Sequence, residues 1–252
     1  MSTDAPPARV VAVVPCFDVA STCAAVVTEV ARHVDRVIAV DDGSRDGTGE
    51  ALATAAAASA GRIQVLVHAQ NEGKGVALLT AFRHALADAP FDVLVTIDGD
   101  GQHDPARIPA VAAACHAGAP LAIGTRTLFH SMPARSRFGN SLTTALLRLL
   151  RPRCPPDTQS GFRALSHPFV ERVVREVPAG RYETEMGVLL LALDARARIA
   201  TVPIPTLYVD RNAASHFRPL VDGLRVYRSL AGALVSRRRR GVRGPDGDRA
   251  DR

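Results

Sequence analysis

Asp98 and Asp100 stand one glycine apart in the run Asp98-Gly-Asp100-Gly-Gln102-His-Asp104-Pro105, directly after the apolar stretch Phe91-Asp-Val-Leu-Val-Thr-Ile97. A stretch of mostly β-branched or apolar residues reads as a buried strand. Two carboxylates at its exit can turn to one side and share a hard cation through oxygen ligands. The same residues also fit a polar turn in which Asp104 caps a helix whose first residue is Pro105. Both readings stand on this motif taken by itself. Three further polar clusters punctuate the first hundred residues: Pro15-Cys-Phe17-Asp18, Asp41-Asp42-Gly43-Ser44 and Asn71-Glu-Gly73-Lys74-Gly75. The last contains the one lysine among 31 basic residues.

The elements that must position these clusters follow from hydrophobic periodicity. Arg9 to Pro15 and Arg36 to Val40 are continuous apolar runs, the pattern of central parallel strands rather than half-exposed ones. Between them, Ser21 to His33 has helical spacing with Ser21 as an N-cap candidate. Thr48 to Ala60 and Gly75 to Ala89 read as helices, and Ile63 to Val67 and Asp92 to Ile97 as strands. Pro105 to His116 is expected to be helical and Pro120 to Arg126 a strand. This alternation predicts a doubly wound, mostly parallel α/β sheet with helices on both faces and ligands at the carboxyl ends of its strands, where all four clusters fall.

The second half is less regular. It reads as an amphipathic leucine-faced helix over Phe138 to Leu150, which could pack on the core or lie in a membrane interface. A turn or hairpin around Asp157 to Arg163 follows, then helices over Pro168 to Val177 and Glu183 to Arg196, a strand over Ile199 to Ile204 and a helix over Phe217 to Val235. Residues 1–235 are expected to form a single domain, with 236–252 a basic, disordered tail.

Composition narrows the class. The chain has 252 residues, is 47% hydrophobic and carries a net charge of +6. Seven arginines and three aspartates after residue 235 account for most of that charge, so no nucleic-acid partner is expected. No stretch approaches the roughly 20 apolar residues of a membrane span, which makes the cytoplasm the expected compartment. Four cysteines without a Cys-x-x-Cys pair are expected to be buried thiols rather than zinc ligands or disulfides. Neither the dinucleotide fingerprint nor the P-loop is present. Acidic strand ends instead suit ribose and base hydroxyls, and a cation between Asp98 and Asp100 could neutralise a departing diphosphate, the chemistry of a nucleotide-sugar donor.

At this point the sequence resembles the family 2 glycosyltransferases of GT-A fold, and among them the dolichyl-phosphate or polyprenyl-phosphate sugar synthases. The resemblance covers roughly residues 9 to 230. It is carried by Val40-Asp41-Asp42-Gly43-Ser44-Arg45-Asp46-Gly47-Thr48, Asn71 to Gly75, Asp98 to Pro105 and Ser160-Gly161-Phe162-Arg163. It implies a donor of GDP-mannose or UDP-glucose type held by Pro15, Phe17, Asp18, Asp41, Asp42, Ser44, Lys74 and Asp98, with Asp41 at the nucleoside. It also implies Mg²⁺ or Mn²⁺ at Asp98, Asp100 and Gln102. Where the family commonly has aromatic-Asn-Glu, this chain has Cys16-Phe17-Asp18-Val19, so Asp18 would replace the glutamate one position early. Arg126, Arg135 and Arg137 fall where these synthases place cations for the acceptor phosphate, and the planar guanidinium suits that ligand. Arg163 and the segment containing Arg211, Ser215 and His216, which resembles the family's mobile closing segment, are assigned to the same phosphate, and Asp100 and Arg137 to catalysis.

A hydroxyl acceptor would need a carboxylate base, for which Glu183 and Glu185 are the candidates. A lipid phosphate, with a second pKa of about 6, would need none. Spaced two apart on a helix, the two glutamates cannot share a face, so at most one is expected to point into the site. The expected function is metal-dependent, inverting hexosyl transfer from a nucleotide sugar to a polyprenyl phosphate by an enzyme peripheral to the inner face of the membrane. The alternatives are transfer to a glycan or glycolipid hydroxyl and non-catalytic nucleotide-sugar binding.

Overall fold

A computed structural model describes residues 8–126, 144, 147, 148, 151, 153–180 and 183–205. The first strand, β1 (Val10–Cys16), pairs in parallel with β2 (Arg36–Asp41) on one side and with β4 (Val93–Thr96) on the other. β3 (Ile63–Val67) extends the sheet beyond β2. The other half holds β5 (Leu121–Arg126) and β7 (Ile199–Ile204), also parallel to each other. Between the halves lies β6 (Arg163–Ser166), antiparallel to both β4 and β5, giving the order β3-β2-β1-β4-β6-β5-β7.

The continuous apolar runs are explained by cover on both faces. Val11 and Val13 of β1 belong to one buried cluster with Leu78, Leu79 and Phe82 of α3 (Lys74–Ala87) and with α5 (His167–Glu176) and α6 (Glu183–Asp194). The intervening Ala12 and Val14 belong to a second cluster with α1 (Cys23–Val30) and α4 (Ile108–His116), which also takes Leu52 of α2 (Thr48–Ala57). Alternate side chains thus enter different cores, and neither face leaves room for the polar positions of a half-exposed strand. All four cysteines are buried free thiols.

One local expectation is corrected and two are refined. Of the turn or hairpin expected around Asp157 to Arg163, it is the turn that forms, Asp157 Oδ1 accepting from the Gln159 amide at 3.2 Å before the chain enters β6. Thr22, not Ser21, precedes α1, and its hydroxyl does not cap the helix but donates to the Gly99 carbonyl at 2.8 Å. Pro105–Arg107 is a 3₁₀ turn that runs into α4, and the Asp104 carboxylate accepts from the Ala106 amide at 3.0 Å, as a helix-starting aspartate should. The expected helices over 138–150 and 217–235 and the 236–252 tail fall wholly or largely outside the described residues.

Candidate active site

β1, β2 and β3 run parallel and end level with one another, Asp41 lying opposite both Cys16 and Val67. The loops leaving them enclose a cleft of about 390 Å³ whose lining includes Phe17, Asp18, Asp41, Ser44, His68 and Asn71. Backbone geometry makes this cleft. Gly43 has φ +71°, and a Cβ on it would lie 2.4 Å from the Gln70 carbonyl carbon, so only glycine lets the β2 loop lie against the β3 loop. Asp18, at φ +50°, donates its amide to Ser44 Oγ at 3.0 Å, and its Oδ1 accepts from the Arg45 amide at 3.0 Å. Asp41 Oδ1 accepts from the Ser44 amide at 3.0 Å. Four of the expected donor residues, Phe17, Asp18, Asp41 and Ser44, therefore share one concavity.

Pro15 and Asp42 do not line it. Pro15 is built into β1 opposite Val40. Asp42 is 2% exposed behind the cleft, where its carboxylate accepts from the amides of Glu72 and Gly73 and meets His68 Nδ1. Both its oxygens bond groups within the protein, so in this structure Asp42 supports the Lys74 loop from behind the cleft.

Lys74 opens α3, and its Nζ lies 2.7 Å from Asp98 Oδ1 and 3.2 Å from Glu185 Oε1 in the first turn of α6. Gly161 closes this group from below: a Cβ there would lie 2.7 Å from Asp98 Oδ2 and 2.8 Å from Lys74 Nζ. Burial disfavours the Lys74 charge, but Asp98 and then Glu185 outweigh it and raise the ammonium's pKa. Burial likewise pushes Asp98 up, but Lys74 and then His103 hold it below its ordinary value. For Asp100, burial and then the Asp98 charge act together and push the carboxyl up to about 6. Its Oδ1 accepts from the Gln102 amide at 3.0 Å. Glu183 sits one position before buried Thr184, against Gly180, whose Cβ would lie 3.1 Å from Glu183 Oε2. Of the two glutamates, Glu185 is thus the one drawn to Lys74.

Among the described residues, no three His, Cys, Asp or Glu side chains converge as a metal-ligand set. What is present is a carboxylate pair whose mutual repulsion disfavours ionisation of Asp100. Such a pair fits a hard cation that completes its shell with water and ligand oxygens.

The arginines expected at an acceptor phosphate are differently employed. Arg126 is bidentate to Asp157, Nε to Oδ2 at 2.7 Å and Nη2 to Oδ1 at 2.9 Å, and Asp157 is fully buried. Burial raises the Asp157 pKa, but the Arg126 hydrogen bonds and charge bring it below the ordinary value. Arg163, 3% exposed, donates to the carbonyls of Ser160 (2.8 Å), Glu185 (2.5 Å) and Thr158 (3.1 Å). Each of its three guanidinium nitrogens donates to a backbone carbonyl, so Arg163 braces the Gly161 loop against α6. Arg135, Arg137, Arg211, Ser215 and His216 lie outside the described residues.

Two residues here were not singled out from the sequence. His103 is 7% exposed, with Nε2 4.0 Å from Asp98 Oδ2 and its ring 5.5 Å from that of Phe162. Burial, against the pull of Asp98, lowers its pKa to about 4, so the ring is neutral at pH 7. Its place inside the Asp98 motif was the available signal. Asp157 carried none beyond an acidic residue just after two prolines.

The model of Glycosyl transferase family 2 matches residues 11–172, a span that includes the carboxylate pair, Lys74 and the acidic cleft. The chain belongs to that family. It is a glycosyltransferase of GT-A fold. It is 28% identical over 86% of its length to the UDP-N-acetylglucosamine–dolichyl-phosphate N-acetylglucosaminyltransferase of Methanococcus voltae, covering 93% of that protein. To the polyprenol monophosphomannose synthase of Mycolicibacterium smegmatis it is 28% identical over 81% of this chain and 79% of that one. Among solved structures, glucosyl-3-phosphoglycerate synthase from Mycobacterium tuberculosis, in complex with Mn²⁺, UDP and glucosyl-3-phosphoglycerate, superposes with a TM-score of 0.66. That match has 23% identity and covers 89% of this glycosyltransferase and 79% of the other chain.

Proposed function

We propose that this glycosyltransferase moves a hexosyl group, with inversion, from a nucleoside diphosphate sugar to a polyprenyl phosphate. In this reading the nucleoside fills the cleft bounded by Phe17, Asp18, Asp41 and Ser44. The diphosphate lies toward Lys74, whose ammonium meets the charge that develops as the donor bond breaks. An acceptor phosphate oxygen attacks the anomeric carbon from the opposite side, and the nucleoside diphosphate leaves as the new bond forms. Asp98 and Asp100 would hold Mg²⁺ or Mn²⁺, which when bound supplies further neutralisation of the diphosphate.

The observation favouring a phosphate acceptor over a hydroxyl is the fate of Glu185. Its carboxylate lies 3.2 Å from Lys74 Nζ and is engaged by that ammonium rather than left facing an acceptor hydroxyl. A phosphate monoester is already anionic near neutral pH and needs no base. The names of the two relatives, a dolichyl-phosphate N-acetylglucosaminyltransferase and a polyprenol monophosphomannose synthase, point the same way. The cognate lipid would place the enzyme at the inner face of the membrane; no helix among the described residues is long and apolar enough to cross one.

The test is release of nucleoside diphosphate from UDP- and GDP-sugars with Mn²⁺, comparing short-chain polyprenyl phosphate with the corresponding polyprenol. Release that requires the phosphate and persists in Glu183→Gln and Glu185→Gln supports the reading. Release with polyprenol or a glycan alone, abolished by either substitution, assigns a hydroxyl acceptor instead.

A further inference from the structure

The loop that delivers Lys74 is held from behind by three side chains with no role in the chemistry above. Asp42 Oδ1 accepts from the Glu72 amide at 3.0 Å and Oδ2 from the Gly73 amide at 2.8 Å, the two residues immediately before Lys74. The same Oδ1 lies 2.8 Å from His68 Nδ1, and His68 Nε2 lies 3.1 Å from Thr80 Oγ1 in the second turn of α3. A carboxylate only accepts, so Nδ1 carries the proton toward Asp42, an assignment made from the network. His68 is in turn fixed at its main chain, its amide donating to the Asp41 carbonyl at 2.9 Å. It also lines the cleft. His68 therefore lines the cleft while its imidazole bonds the carboxylate that grips the Lys74 loop.

We propose that His68 is a positioning residue that couples the cleft to Lys74, acting through Asp42 and anchored by Thr80. This rests on the donor reading above. Gly73, at φ +101°, has no side chain of its own with which to anchor the turn. With His68 in place, the Asp42 carboxylate cannot rotate away from the two amides without breaking a third bond. A nucleoside that orders the ring thus also orders the ammonium that must meet its diphosphate. A displacement of about 1 Å in such a group can cost roughly a hundredfold in rate.

The test is a set of substitutions assayed with Mn²⁺ for binding of uridine, UDP, guanosine and GDP, the nucleosides by ligand-observed NMR and the diphosphates by calorimetry. The quantity read is the ratio of diphosphate to nucleoside affinity. His68→Leu, which keeps bulk but has no polar atom, is expected to lower that ratio about tenfold. His68→Asn, which keeps an N–H near the Nδ1 position, should restore most of it. In a Lys74→Met background His68→Leu should add less than about twofold, because both substitutions remove the same interaction. An undiminished effect in that background, or equal losses of nucleoside and diphosphate binding, overturns the proposal and leaves His68 as a cleft wall. If His68→Leu does not fold, His68→Asn against His68→Gln, which keeps a nitrogen at the Nε2 end instead, decides the question. Asn should retain the ratio and Gln lose it, and equal ratios overturn the proposal. Wild-type protein that binds neither UDP nor GDP overturns the donor reading and this inference with it, a result distinct from the others.

Discussion

Asp100→Asn is expected to make the metal-free enzyme more stable at neutral pH while removing a carboxylate of the proposed cation site. Burial, and after it the neighbouring Asp98 charge, push the Asp100 carboxyl up to about 6 from its ordinary 3.8. A raised carboxyl pKa means that the fold prefers the protonated form. The stabilisation from that proton is complete below pH 3.8 and is lost as the pH rises through 6. At about 1.36 kcal/mol per pH unit, the ionised group opposes folding by roughly 3 kcal/mol, and its partial exposure lowers the expectation to about 2 kcal/mol. An asparagine carries no charge and so escapes this penalty. Urea unfolding in EDTA at pH 4, 5.5 and 7 should show Asp100→Asn gaining about 2 kcal/mol over wild type at pH 7 and almost nothing at pH 4. His103 imposes a slope of the opposite sign: burial holds its pKa near 4, so stability falls as the pH drops below its ordinary 6.5. Both proteins contain His103, so the difference between them isolates Asp100. Saturating Mn²⁺ should stabilise wild type more than the variant and narrow the gap. A gain that is absent at pH 7, or equally large at all three pH values, would refute the carboxylate-repulsion account.

Gly161→Ala places a methyl group 2.7 Å from Asp98 Oδ2 and 2.8 Å from Lys74 Nζ. It should cost about 1–3 kcal/mol in chemical denaturation and lower donor turnover more than its stability loss explains. Asp157→Ala strips the buried partner from Arg126 and should destabilise by about 3–5 kcal/mol, read by urea midpoint at constant m-value. Lys74→Met leaves Asp98 and Glu185 without their cation. It should reduce nucleoside diphosphate release on the order of 100-fold, with the acceptor KM little changed.

Much of the architecture could be read from the residues because the physics there is local. The apolar runs at β1, β2 and β4 report burial on both faces, and the polar clusters after them sit where a parallel sheet collects its ligands. β6 escaped notice because it is four residues long and begins with a buried arginine, a residue whose presence in a strand core makes sense only once its three carbonyl partners are known. The same non-locality hid the roles of Arg126 and Asp42. Each carries the right charge for a ligand, and each is committed to a partner about 30 residues away in sequence, Asp157 and the Glu72–Gly73 amides. The pairing of Lys74 with Asp98 was foreseeable from charge, but Glu185 as its third member depends on how α6 docks. His68 offered no pattern at all, being a lone histidine at a strand end.

The antiparallel course of β6 has a consequence for synthesis. Among the described strands, β6 alone ties β5 and β7 to the other four. β5, buried over Leu121–Thr125, is finished at Arg126, yet its partner β6 begins only at Arg163, 37 residues later. At roughly 5–20 residues per second, the ribosome leaves that apolar strand without its sheet partner for about 2–7 s. The first four strands can pair as they emerge, whereas β5 must wait for its sheet partner. Translation speed over this interval, and chaperone capacity to cover it, should therefore govern the yield of folded enzyme more than the same factors acting on the N-terminal half.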